Sequence, residues 1–288
     1  MKVQGSLKLL TATILFATLA GCGGTPATPT TLPQSSATAQ QIDAPSPSML
    51  ALGEVVIFAA SSLKEAFEAQ AGGLKEKGIE RVDYNFAGSQ ALVAQLSQGA
   101  RGDVFASADA KNMEAAVAVG SVVSGTERVL ATNKLVVAVP EGSVQVFTLK
   151  DLTKPGLKLV LADKSVPAGN YSLQALDKLS ADPAYGSGFK EKVLANVVSY
   201  ESNVRQVLSK VELGEADAGI VYATNARAAK VGTIEIEDKY NVVARYYIAP
   251  VKDAIHPDAA SRFIEYALSE EGQRTLESYG FGRADQDR

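Results

Sequence analysis

Short apolar runs alternate with longer amphipathic stretches from Glu54 onward. Four of the runs end in a small polar or Gly/Ala turn and then open an amphipathic segment: Val55–Leu63, Tyr84–Gln90, Leu159–Gly169 and Val197–Val204. Each predicts a strand leading into a helix N-terminus. Leu63, Phe67 and Leu74 share one helical face, as do Leu92, Val93 and Leu96, and Val204, Val207, Leu208 and Val211. Asp109 is placed to cap the helix that follows it, and Gly214 to end the one before it. Ala218–Tyr222 predicts a buried strand. Such alternation predicts an α/β fold with mainly parallel sheets flanked by helices.

A helix N-terminus exposes unpaired N–H groups and the positive end of the helix dipole. Several of them aimed at one point form an anion site that needs no Lys or Arg. Two further strands, Leu135–Pro140 and Val242–Pro250, bracket a middle segment. If both cross between lobes, residues 54–134 start lobe one, 135–247 build lobe two and 248–288 complete lobe one. A cleft between the lobes would then be faced by strand ends and helix starts, where open α/β sheets bind ligands.

The N-terminal stretch changes the picture of where such a fold works. Lys2 and Lys8 precede the apolar run Leu9–Ala20, which is too short to span a bilayer as a mature helix. Leu19-Ala20-Gly21-Cys22 resembles a bacterial lipobox, so residues 1–22 are expected to be a lipoprotein signal peptide and Cys22, the sole cysteine, the lipidated residue. Residues 23–53 hold five of the eleven prolines and a single charge, Asp43, before Glu54, which predicts a flexible tether. With 288 residues, 46% of them hydrophobic and 21% charged, the rest has ample material for a core. A net charge of −4 and no basic stripe exclude a nucleic-acid partner. Any anion affinity must therefore come from local donors.

Individual polar residues have ordinary structural explanations. Ser62 to Glu65 fits a capping box. Ser89 is placed as an N-cap, and Tyr222 as a core tyrosine. His256, the sole histidine, precedes Pro257 at a helix start. One His and one Cys leave no zinc set and no Cys/His nucleophile pair, which argues against an enzyme.

Taken together, the segments Phe58–Leu63, Phe86–Ser89, Gly102–Asp109, Val166–Gly169, Asn203–Arg205, Gly219–Tyr222 and Tyr279–Phe281 resemble the periplasmic molybdate-binding proteins of ABC importers, the ModA family. The resemblance runs from Glu54 to Gly282. It implies a two-lobed type II periplasmic-binding-protein fold, hinged by two crossover strands, that closes over molybdate or tungstate. It also implies no cofactor, and a membrane permease and ATPase as partners. Position by position, it assigns hydroxyl donors to Ser62 and Ser89, backbone N–H donors to Ala168 and Val204, and a phenol to Tyr222. Ser61 departs from the commonest pattern, and a second hydroxyl there is a possible additional ligand. Asn203 stands where relatives often carry an acid. Molybdate near neutral pH is a dianion with acceptors only, so a donor-only set matches it. Rival readings are a sulfate receptor, which differs in cavity size, and a ferric-ion receptor. The latter is disfavoured because the adjacent Tyr246 and Tyr247 of a strand point to opposite faces.

Overall fold

A computed structural model of the chain describes residues 52–283. The expected signal peptide, most of the tether and the lipidation site Cys22 lie outside the described residues. The chain starts with β1 (Gly53–Ala60), α1 (Lys64–Ala69), α2 (Ala71–Glu76), β2 (Ile79–Ala87), α3 (Ser89–Ser97), β3 (Val104–Ser107), α4 (Ala110–Ala118) and β4 (Arg128–Asn133). It continues with β5 (Leu135–Pro140), β6 (Leu159–Ala162), α5 (Pro167–Ala181), α6 (Phe189–Ala195), β7 (Val197–Glu201), α7 (Val204–Glu212), β8 (Ala218–Tyr222), α8 (Ala223–Arg227) and β9 (Val231–Glu235). It closes with β10 (Ala244–Pro250), α9 (Pro257–Leu268) and α10 (Glu270–Ser278). Gly53, placed in the tether by composition, is the first residue of β1 and pairs with Ile79.

Two five-stranded sheets result, in the orders β2-β1-β3-β10-β4 and β7-β6-β8-β5-β9. In the first, β2, β1 and β3 are parallel and β10 runs against both β3 and β4. The second repeats this with β7, β6 and β8 parallel and β5 reversed. Each sheet is thus mainly parallel with one reversed strand. The apolar runs are continuous because helices cover both faces. In β1, Val55, Ile57 and Ala59 enter one core cluster, while Phe58 enters a second on the other face.

The crossings differ from two strands shared between lobes. β4 and β5 are separated only by Lys134, so the first crossing is a nearly continuous strand that changes sheet. The return runs through residues 236–243, which form no strand. There Asn241 substitutes for a strand neighbour: its Oδ1 accepts from Leu135 N–H at 3.0 Å and its Nδ2 donates to Leu135 O at 2.8 Å. β10 is bonded along its length to β3 and β4, so Ala244–Tyr247, expected in lobe two, belong to the first sheet. The two crossings lie side by side and are pinned by one amide.

Candidate functional site

Three helices of eight residues or more begin at the edge of one cavity: α3 after β2, α5 after β6 and α7 after β7. The cavity is lined by Ser61, Ser62 and Ser89 from lobe one and by Ala168, Val204 and Tyr222 from lobe two. Its volume of about 10 Å³ is far below the roughly 300–1,000 Å³ of pockets for drug-sized ligands. Every one of these six residues is buried. Among the described residues, no Lys, Arg, Asp or Glu lines it.

The local structure explains each position. Ala168 is the second residue of α5 and Val204 the first of α7, where the helix supplies no acceptor for the N–H. Asn203 caps α7 by accepting from Gln206 N–H at 3.1 Å. A Cβ on Gly169 would stand 2.1 Å from the Asp163 carbonyl oxygen, so only glycine lets the first turn of α5 sit against the end of β6. Tyr222 ends β8.

Two capping expectations are corrected. Ser62 caps nothing: it lies inside a 3₁₀ turn, Ser61–Leu63, that runs straight into α1. Its hydroxyl instead meets the Tyr246 hydroxyl at 2.8 Å, and Glu65 pairs with Arg205 across the cleft. The N-cap of α3 is Gly88, and Ser89 is the first helical residue. Ser89 Oγ accepts from Ala108 N–H at 3.1 Å, which leaves its own proton to be donated elsewhere. Both hydroxyls are thereby free of helix capping. Asp109 does cap α4, accepting from Asn112 N–H at 2.9 Å.

Tyr222 carries the least explained atom. The residue is 1% exposed, and its hydroxyl makes no hydrogen bond of ordinary geometry within the described residues, although the Tyr246 phenol is near enough to interact with it. Burial pushes its phenol well above the ordinary value, so it remains a protonated donor. An unpaired buried polar group costs about 1–3 kcal/mol, a cost that an acceptor in the cavity would offset.

Contacts over the cleft were not foreseen from the sequence. Arg205 pairs with Glu65, and Gln90 Nε2 donates to Ser202 O at 2.9 Å. Gly88 approaches the opposite lobe so closely that a Cβ would stand 2.5 Å from the Ser202 carbonyl oxygen. No local pattern marks these residues, because their partners are more than a hundred positions away in the chain.

The other candidates separate from the site. His256 Nδ1 lies 2.9 Å from Asp103 Oδ2, at a joint where Asp103 also accepts from Val56 N–H and His256 N–H. Burial raises the Asp103 carboxyl, but these hydrogen bonds outweigh it and hold the group below its usual value. Tyr246 belongs to one core cluster and Tyr247 packs on the other, so the two phenols face opposite sides of the first sheet. Among the described residues, no group of three or more His, Cys, Asp and Glu is arranged to hold a metal.

Comparison with known proteins places this geometry. Residues 54–282 match the family model described as bacterial extracellular solute-binding protein. The chain is 36% identical over 234 residues to the molybdate-binding protein ModA of Mycobacterium tuberculosis H37Rv, covering 80% of this chain and 84% of the relative. It is 35% identical over 242 residues to the molybdate-binding protein ModA of Escherichia coli K12, covering 80% and 89%. The solved periplasmic molybdate-binding protein of Azotobacter vinelandii superposes with a TM-score of 0.69 at 22% identity, covering 80% of this chain and 99% of that one, a likeness of fold.

Proposed function

The chain belongs to the bacterial extracellular solute-binding protein family, and from that premise we propose that it is the molybdate receptor of an ABC importer. Its family is one of receptors. The carrying observation is the buried, unpartnered Tyr222 hydroxyl in a cavity bounded by helix starts and serine hydroxyls. Such a site offers donors and no obligatory acceptor. It suits a small anion with acceptors on every side, namely a fully deprotonated tetrahedral oxyanion. In this reading Ser62 and Ser89 donate through their hydroxyls, Ala168 and Val204 through their N–H groups, and Tyr222 through its phenol. Ser61 borders the same space and is a sixth candidate donor.

Hydrogen bonds to a charged partner contribute about 1.5–3 kcal/mol each. Five of them sum to about 7–15 kcal/mol, which brackets the roughly 12 kcal/mol of nanomolar binding before association costs, so uncharged donors near the strong end of that range can carry the affinity. Tungstate, of nearly the same size and charge, is a second ligand of this site. Cys22 holds the receptor to a membrane by a lipid, and the tether lets the binding domain work just off that surface. The domain delivers its anion to a permease and its ATPase.

Calorimetry on the chain stripped of bound anion tests the reading. Tight one-to-one binding of molybdate and tungstate, with sulfate and phosphate far weaker, is the expected result. Equal affinity for sulfate would make it a general oxyanion receptor, and no binding of any of the four would refute the assignment. Mass spectrometry of the mature chain from membranes checks the lipid: a diacylglyceryl mass on Cys22 is expected, and an unmodified thiol refutes it.

A further inference from the structure

A row of buried polar groups runs from the crossing between the lobes to the cavity. Lys134 N–H donates to Asn133 Oδ1 at 2.9 Å, which fixes the amide with its nitrogen on the other side. Asn133 Nδ2 donates to Thr224 Oγ1 at 2.9 Å and to the Tyr246 oxygen at 3.4 Å. The Tyr246 and Ser62 hydroxyls meet at 2.8 Å, where either can donate, and the Asn133 amide on one Tyr246 lone pair favours Tyr246 as the donor. In that arrangement Ser62 Oγ accepts and its own O–H is left for the cavity it lines. Tyr246, Asn133 and Ser62 are all buried, so water does not compete for these bonds. Burial also pushes the Tyr246 phenol up, and it keeps its proton.

We propose that Tyr246 is a positioning residue that holds Ser62 as an obligate donor, and that this orientation discriminates against oxyanions that carry a proton. The inference rests on the oxyanion reading above. Ser89 is set the same way by the Ala108 N–H, but that device is backbone and cannot be deleted by truncating a side chain. Tyr246 is the side chain whose removal frees a serine to rotate. A freed Ser62 can accept a hydrogen bond from the P–OH of hydrogen phosphate as readily as it can donate one to molybdate.

The test is calorimetry on the full chain, with wild type, Tyr246→Phe, Ser62→Ala and the double variant each titrated with molybdate and with phosphate near neutral pH. Tyr246→Phe keeps the ring that packs on Tyr222 and Phe281. It is expected to weaken molybdate about tenfold and to strengthen phosphate, so the molybdate-to-phosphate ratio falls by more than the molybdate loss. In the Ser62→Ala background the same change is expected to add nothing, because Tyr246 acts through Ser62. A purely structural role would move stability but not the ratio. Asn133→Ala reads the relay one bond further out and is expected to lower the same ratio by a smaller factor. An unchanged ratio in both variants, or equal losses with and without Ser62, overturns the relay while leaving the receptor assignment standing. A wild-type chain that binds no molybdate overturns both.

Discussion

Lobe one borders the cavity with side-chain hydroxyls, Ser62 and Ser89, each oriented by a buried neighbour, Tyr246 or the Ala108 N–H. Lobe two borders it with the starts of α5 and α7, where the backbone N–H groups of Ala168 and Val204 need no side chain, and with the Tyr222 phenol. The two halves have the same sheet order and strand directions. Equivalent scaffolds therefore bring different chemistry to one space. Polar groups in the first lobe depend on residue identity and a second layer of contacts. Those in the second depend on helix geometry, so many side chains could stand there without changing what is offered.

That contrast can be broken most severely at the seam. Gly88→Ala places a methyl group against the Ser202 carbonyl and should prop the lobes apart, misaligning both donor sets together. A loss on the order of a hundredfold in molybdate affinity is expected, as for other misplacements near 1 Å. Small-angle scattering should show less compaction on adding molybdate than in wild type. Next in size is a pair of changes at Val204. Val204→Pro removes the N–H at a helix position where proline is at home, and Asn203 before it is already extended at φ −159° and ψ 164°. Affinity should fall about 10–100-fold with little change in Tm, whereas Val204→Ala, which retains the N–H, should bind nearly as wild type. If Val204→Ala loses as much as the proline variant, the backbone assignment in lobe two is wrong.

Smaller effects sharpen the comparison. Glu65→Gln breaks the half-buried pair with Arg205 that spans the cleft. Pairs of this kind contribute about 0.2–1 kcal/mol, so a rise of up to roughly fivefold in the dissociation rate is expected, measured by stopped-flow fluorescence or competition and reduced at high salt. Acid should act on lobe one through Asp103. Its carboxyl is held below the ordinary value of 3.8 in the folded state. Its stabilisation is therefore complete above that value and is lost as pH falls through the lowered one. Asp103→Asn should melt lower at pH 7 by about 1–3 kcal/mol and show a flatter acid dependence than wild type below pH 4. An unchanged acid profile would mean that another carboxylate sets it.

Much of the fold was legible because it is periodic. The strands β1, β6, β7 and β8 and the apolar faces of α3 and α7 follow from local patterning, and Asp109 and Gly214 occupy the cap positions expected of them. The hinge was less legible. Sequence pattern shows that a strand exists at Ala244–Pro250, but not that it bonds wholly within the first sheet. Ser62 was legible only by resemblance. Its local context matches a capping box, and the competing partner, Tyr246, lies 184 residues away.

The sequence by itself determined the alternation of strands and helices, the net charge of −4 and the capped start of α4. These are properties of neighbours along the chain, set by side-chain period, backbone propensity and composition. Only the tertiary structure decided that three helix starts and a phenol meet in one cavity and that Gly88 touches the opposite lobe. It alone decided, too, that the Ser62 hydroxyl meets Tyr246 and caps no helix. Those outcomes depend on distances between residues far apart in the chain, and only the closed packing of two sheets sets such distances.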